Sequence, residues 1–134
     1  MCSKLTNSFT FSGSIILHGG LGNDILDGGA DSDLLFGGLD NDVLFGQDGD
    51  DHIYGELGDD YIIGGKGNDL LDGGEGSDFY TFGKGDCKDV IQDSEGLSDV
   101  IRVSNYTLVE ITFTEDGNDL ILSAAPDGTD EIIL

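Results

Sequence analysis

Basic side chains are scarce in this 134-residue chain: five lysines and arginines stand against 28 aspartates and glutamates, a formal charge of −23. A chain so poor in cations cannot neutralise a phosphate backbone, which excludes nucleic acid as a partner. An anionic membrane surface repels it for the same reason. Long apolar runs are missing too, and nothing approaches the roughly 18 residues a spanning helix needs. Cys2 and Cys87 have no metal-type spacing and supply no disulfide framework. His18 and His52 are the only histidines, and neither HExxH nor GxSxG occurs. No catalytic residue is assigned, and the chain reads as a non-enzyme. The first 17 residues carry Lys4 but no continuous apolar stretch of a Sec leader. An exported chain of this kind is expected to leave by another route.

Acid and glycine are what the sequence has in plenty, in a length that fits one domain. Disorder is one outcome of such a composition. Against it, 37% of the residues are hydrophobic and fall in regular short runs. Disorder without a bound cation stays compatible with this pattern.

The runs recur every nine residues. Glycine opens each unit at Gly19, Gly28, Gly37, Gly46, Gly55, Gly64 and Gly73. The sixth place is Asp24, Asp33, Asp42, Asp51, Asp60, Asp69 and Asp78. The eighth is large and apolar or aromatic: Leu26, Leu35, Leu44, Ile53, Ile62, Leu71 and Tyr80. A period of nine matches no helical repeat, and glycine at this density would melt a helix. The unit divides into a six-residue turn and a three-residue strand, with the eighth place as the core. Two turns and two strands make a coil of 18 residues, so unit n stacks on unit n+2. The aspartates then form two ladders, Asp24–Asp42–Asp60–Asp78 and Asp33–Asp51–Asp69.

Stacked strands lie about 4.8 Å apart. Two bare carboxylates at that separation repel by on the order of 3 kcal/mol at an effective dielectric of 20. Summed along both ladders, this rivals the roughly 5–15 kcal/mol that stabilises a small domain. Lys66 is the only basic residue between Gly19 and Thr81, so the compensating charge must come from solution. Carboxylates and carbonyls are hard oxygen donors that favour Ca²⁺ over the smaller, strictly octahedral Mg²⁺. No loop has the helix–loop–helix calcium spacing. Ladders of four and three loops give three plus two, or five, inter-loop sites.

The units Gly19-Gly20-Leu21-Gly22-Asn23-Asp24-Ile25-Leu26 and Gly64-Gly65-Lys66-Gly67-Asn68-Asp69-Leu70-Leu71 read as GGxGxDxUx. This resembles the RTX (repeats-in-toxin) haemolysin-type nonapeptide of secreted bacterial proteins. The resemblance implies an all-β, right-handed parallel β-roll, to which the hairpin signals of the C-terminal flank add a short antiparallel cap. It also implies calcium between loops n and n+2, held by the seven aspartate side chains and by carbonyls of the first four loop residues. Such carbonyls include those of Gly20, Gly22, Gly37, Leu39, Gly55, Leu57, Gly65, Gly67 and Gly73. Gln47 and Glu56 replace the second glycine, and Asp31 and Asp40 the fourth. These departures imply either weaker sites or, at Asp31 and Asp40, an extra ligand.

Residues 1–18 are expected to hold an N-terminal segment and a degenerate capping unit from Thr10 to His18, with Ile15 where aspartate belongs. Residues 19–81 are the seven repeats and 82–134 the C-terminal flank. In that flank Asp89-Val90-Ile91 marks the exit from the repeats, and residues 95–103 echo the pattern out of phase. Residues 109–114 and 120–123 predict a hairpin around Asp116-Gly117, followed after Asp127-Gly128 by a strand at 131–134. Asp130-Glu131-Ile132-Ile133-Leu134 fits either a type I secretion signal or a plain cap strand.

Outward strand places carry Val43, Phe45, Tyr61, Ile63 and Phe79 on one face, and Leu34, Phe36, His52 and Tyr54 on the other. Either flanking segments pack there, or the faces serve a protein or polysaccharide partner. The expected function is Ca²⁺ binding coupled to folding, in a secreted, extracellular RTX protein exported by type I secretion. The competing function is an adhesion or polysaccharide-binding module using the roll as scaffold.

Overall fold

The computed structural model describes residues 6–7, 13–83, 85–93, 99–104, 112–116, 119–123 and 131–134. The expectations placed on Cys2, Thr10, Gly117, Asp127, Gly128 and Asp130 lie outside these residues. Strand formation follows the period of the sequence. A two-residue strand β1 (Thr6–Asn7) precedes seven six-residue strands: β2 (Ile16–Leu21), β3 (Ile25–Ala30), β4 (Leu34–Leu39), β5 (Val43–Asp48), β6 (His52–Leu57), β7 (Tyr61–Lys66) and β8 (Leu70–Glu75). Three four-residue strands follow, β9 (Phe79–Phe82), β10 (Lys88–Ile91) and β11 (Val100–Val103). The C-terminal flank adds β12 (Thr112–Asp116), β13 (Asp119–Ser123) and β14 (Glu131–Ile133). Among the described residues there is no helix, and so none long and apolar enough to cross a membrane.

Odd and even strands separate into two parallel sheets, as a coil of two units requires. One sheet runs β1-β3-β5-β7-β9-β11 and the other β2-β4-β6-β8-β10 before continuing into β14, β13 and β12. Through the repeats each residue faces the one 18 positions on: Ile25 pairs with Val43, and Val43 with Tyr61. The molecule is a parallel β-solenoid. Parallel stacking continues past the last nonapeptide, with Leu70 facing Val90 and Phe79 facing Val100. Among the described residues antiparallel pairing is confined to β12–β13 and β13–β14, and β14 itself lies parallel on β10. The predicted hairpin and final strand are therefore present, and they extend one sheet at its edge.

One expectation is corrected. The strands are six residues long, because pairing continues into the first half of each turn: Gly20 faces Gly38, and Leu21 faces Leu39. Glycine in the second place makes this possible. With φ between 92° and 117° at Gly20, Gly29, Gly38, Gly65 and Gly74, the chain bends while its amide groups still meet the next coil.

The eighth-place side chains fill the space between the sheets. Leu35, Leu44, Ile53 and Ile62 are fully buried; Leu26, Leu71 and Tyr80 are nearly so, joined at the far end by Phe82 and Ile91. A core one residue wide per strand leaves the seventh and ninth places half-exposed. There His18, Phe36 and Tyr54 stack at centroid distances of 4.7 and 5.3 Å. On the other sheet Tyr61 stacks on Phe79 at 5.2 Å.

Candidate metal centre

Each sixth-place aspartate stands immediately before a strand, where the turn re-enters the ladder. Its main chain is held twice. The carbonyl of Asp42 accepts the Tyr61 N–H at 2.9 Å, and that of Asp51 accepts the Leu70 N–H at 2.8 Å. The N–H of each aspartate donates to Oδ1 of the aspartate one coil on: Asp24 to Asp42, Asp33 to Asp51 and Asp42 to Asp60, all at 2.7 Å. Asp51 to Asp69 and Asp60 to Asp78 follow at 2.8 Å. Ile15, which replaces the aspartate of the degenerate unit, still donates its N–H to Asp33 Oδ1 at 2.9 Å. The first coil thus joins the ladder without adding a carboxylate.

From Asp33 to Asp78, one oxygen of each carboxylate is satisfied in this way. The Oδ2 atoms of Asp24, Asp33, Asp42, Asp51, Asp60, Asp69 and Asp78 are buried with no hydrogen-bond partner. Native interiors leave only a few such atoms, and each calls for an explanation such as a bound ion. Each Oδ2 lies against the glycine that opens its own unit, and at Asp24, Asp33, Asp42, Asp51 and Asp60 the first-place carbonyl of the next coil lines the same space. A Cβ built on Gly37 would lie 2.6 Å from Asp42 Oδ2 and 2.7 Å from the Gly55 carbonyl oxygen. At Gly28 the same test meets Asp33 Oδ2 at 2.6 Å and the Gly46 carbonyl oxygen at 2.9 Å. Glycine keeps that space open, and its walls are oxygen.

The electrostatics point the same way. Burial, with further repulsion along the ladder, pushes Asp51 and Asp60 up to about 6 and Asp69 to about 7. Asp78 rises to about 6, through burial and then its neighbours Asp93 and Asp99. Asp33 and Asp42 are also raised, chiefly by burial. Lys66 offers no relief, because its ammonium pairs at 2.9 Å with exposed Asp48. Stacked buried carboxylates, hard carbonyl oxygens and a space that a methyl would fill suit Ca²⁺, which takes six to eight oxygen ligands in flexible geometry.

The carbonyl groups expected from sequence fall in two places. Those of Gly37, Gly55 and Gly73 line the Asp24, Asp42 and Asp60 cradles. Gly20, Leu39, Leu57 and Gly65 lie on the paired rungs closing β2, β4, β6 and β7, while Gly22 and Gly67 sit in the turns beyond. The four irregular residues keep the glycine conformation, with φ of 74°, 73°, 83° and 77° at Asp31, Asp40, Gln47 and Glu56. Asp31 and Asp40 each direct Oδ2 to a main-chain N–H one coil back, Gly13 at 2.7 Å and Gly22 at 3.1 Å.

One set of residues escaped the sequence reading, and a second was noted there only as the exit at 89–91 and the out-of-phase echo at 95–103, without a place in the ladders. The fifth-place side chains form a second seam running the opposite way: Asn41 Oδ1 accepts the Asp59 N–H at 3.1 Å, and Asp59 Oδ1 the Ser77 N–H at 2.9 Å. The signal was an unbroken column of Asn, Ser and Asp at Asn23, Ser32, Asn41, Asp50, Asp59, Asn68 and Ser77. Asp89 and Asp99 extend the two ladders beyond the repeats, accepting the N–H of Asp69 and of Asp78 at 3.0 Å each. Their signal was the twice-written triplet Asp-Val-Ile, at residues 89–91 and 99–101.

The family model for the RTX calcium-binding nonapeptide repeat matches residues 16–44 and 45–80, in four copies. No curated protein matches the chain. Among solved structures, the chain is similar to the AlgE6R3 subunit of the Azotobacter vinelandii mannuronan C5-epimerase, determined in solution. The two share 26% identity and a TM-score of 0.57, over 78% of this chain and 70% of that one.

Proposed function

Because residues 16–80 belong to the RTX calcium-binding nonapeptide repeat family, we propose that this chain takes up calcium between successive coils and folds as it does so. One observation carries the reading: a run of seven buried aspartate oxygens without a hydrogen-bond partner. Bound calcium supplies the positive charge the ladders lack. The protein's part is to present Asp24, Asp33, Asp42, Asp51, Asp60, Asp69 and Asp78 in register, to add first-place carbonyls, and to exclude water from between the coils. Since the site exists only when the coils are stacked, binding free energy becomes folding free energy. We place the module in an exported protein that meets calcium at the millimolar levels such sites require. No step of this function is catalytic.

The test is a far-UV circular dichroism titration of decalcified protein with CaCl₂ up to about 10 mM, with MgCl₂ as control. A cooperative gain of β signal with calcium alone is expected. A β signal complete without calcium and indifferent to it would overturn the reading.

A second reading draws on the stacked rings of His18, Phe36 and Tyr54, which form a flat half-exposed strip across three strands. Such a strip suits the apolar faces of sugar rings, and the similar structure comes from a mannuronan epimerase. In this reading the calcium-loaded roll is a scaffold for a polysaccharide. Retardation in a mannuronan gel containing calcium supports it; unretarded migration counts against it.

A further inference from the structure

The nonapeptide pattern ends at Asp78-Phe79-Tyr80, yet the fold lays two more carboxylates against Asp78. Asp99 stands directly before β11 and accepts the Asp78 N–H at 3.0 Å, the same bond that joins successive ladder aspartates. Asp93 arrives from elsewhere, two residues past the end of β10. One carboxylate oxygen from each of Asp78, Asp93 and Asp99 lies within 4.8 Å of the others.

Acidic residues cluster on many surfaces without a ligand, so grouping alone decides nothing. Burial does. Asp78 is 1% exposed, and its Oδ2 has no hydrogen-bond partner. Asp93 Oδ1 is likewise buried and unpartnered.

Asp93 is held in place by the core itself. Tyr80 is the one eighth-place residue with a polar tip. Its hydroxyl accepts the Gly73 N–H at 2.7 Å and donates to Asp93 Oδ2 at 2.6 Å. One oxygen of Asp93 is thereby anchored while the other stays without a donor. Gly73 keeps the approach open, since a Cβ there would stand 2.6 Å from the Tyr80 hydroxyl and collide with Asp78 Oδ2. The donors are carboxylates from three separate segments, with neither nitrogen nor sulfur among them. That set selects a hard divalent cation, and its irregular, part-open geometry favours calcium over magnesium.

We propose that Asp78, the last repeat aspartate, joins Asp93 and Asp99 from beyond the matched repeats to hold one further calcium ion at the exit of the roll, oriented by Tyr80. The proposal rests on the repeats themselves binding calcium. Its consequence is structural: Phe79 faces Val100, 21 residues on, where the repeats use 18, so the exit coil carries three extra residues. The ion would fasten β11 to the last nonapeptide across that slip.

Equilibrium dialysis with radioactive calcium on the full chain tests it, comparing the unaltered protein with an Asp93→Asn, Asp99→Asn double variant. The double variant is expected to bind one ion fewer and to retain the others. An unchanged ion count and unchanged affinities would overturn the proposal. Should the double variant not fold, Tyr80→Phe keeps all three carboxylates and removes only the anchor of Asp93. Roughly tenfold weaker binding of one ion is expected there, the usual scale for losing a ligand's supporting partner. Unaltered affinity for every ion in Tyr80→Phe would again overturn the proposal. A chain that binds no calcium at all would instead overturn the reading of the repeats on which it rests.

Discussion

The N–H of Asp51 donates to Oδ1 of Asp69 at 2.8 Å, while Oδ2 of the same Asp69 lies buried with no partner. The carboxylate is therefore both a coil-to-coil fastener and an unmet charge, and conditions decide which role prevails.

Acidity should reveal the balance. Burial raises Asp51, Asp60 and Asp78 to about 6 and Asp69 to about 7 in the stacked form. For an acid with a raised folded pKa, the stabilising contribution is complete below its unfolded value near 4 and is lost as pH rises through the folded value. In decalcified protein the β signal is expected to grow as pH falls from 8 to about 5. With calcium the direction reverses, since protons compete with the ion and apparent affinity weakens over the same window. Circular dichroism at several pH values, with and without calcium, checks both signs.

Asp51→Asn is expected to have opposite effects in the two states. The amide oxygen can still accept the Asp33 N–H, now 2.7 Å from Asp51 Oδ1, but the charge is gone. Without calcium, loss of repulsion should stabilise the stacked form by about 1–3 kcal/mol. With calcium, affinity should fall roughly tenfold or more, because ligand charge sets affinity in such sites. Urea melts in calcium and in chelator read the two halves. Destabilisation in both would show that the carboxylate is not a source of strain.

Gly37→Ala isolates the cradle. Gly37 has no positive φ, so alanine brings steric conflict with Asp42 Oδ2 and the Gly55 carbonyl and no backbone strain. Destabilisation of about 1–3 kcal/mol, the scale of overpacking, is expected together with weaker calcium binding. Gly20→Ala makes a contrast: its Cβ would meet nothing within 4 Å, but its φ of 100° carries the strain instead. Calorimetric titration of both variants separates a filled site from a strained turn.

Tyr61→Ser tests the outward face. Tyr61 stacks on Phe79 at 5.2 Å, and its hydroxyl lies 3.0 Å from Thr81 Oγ1. If these contacts serve the fold, stability falls by about 1–3 kcal/mol. An unchanged melt with lost retention on a polymer would assign the face to a partner.

How far the sequence could be read depended on strict repetition. Leu35 over Ile53 and Asp42 over Asp60 follow from an uninterrupted offset of 18. Reading failed where the offset slipped: Asp89 lies 20 residues beyond Asp69, and Asp99 lies 21 beyond Asp78. A period cannot announce its own insertions, so only the repeated Asp-Val-Ile triplet marked those rungs. Tyr80 passed for another apolar core residue because its ring is one. The use of its hydroxyl depends on Gly73, seven residues earlier, and on Asp93, thirteen later. The six-residue strands were hidden for another reason: glycine is read as a turn residue, and here its amide groups stay in the ladder while the chain bends.

The constant offset between coils has a mechanical meaning. Each coil is fastened only to its neighbours, so tension between the two ends would strip the roll one turn at a time. A turn of 18 residues releases up to about 60 Å of chain when drawn straight. Such a roll behaves as a reel with a fixed step, stiff while the inter-coil charges are compensated and slack when they are not.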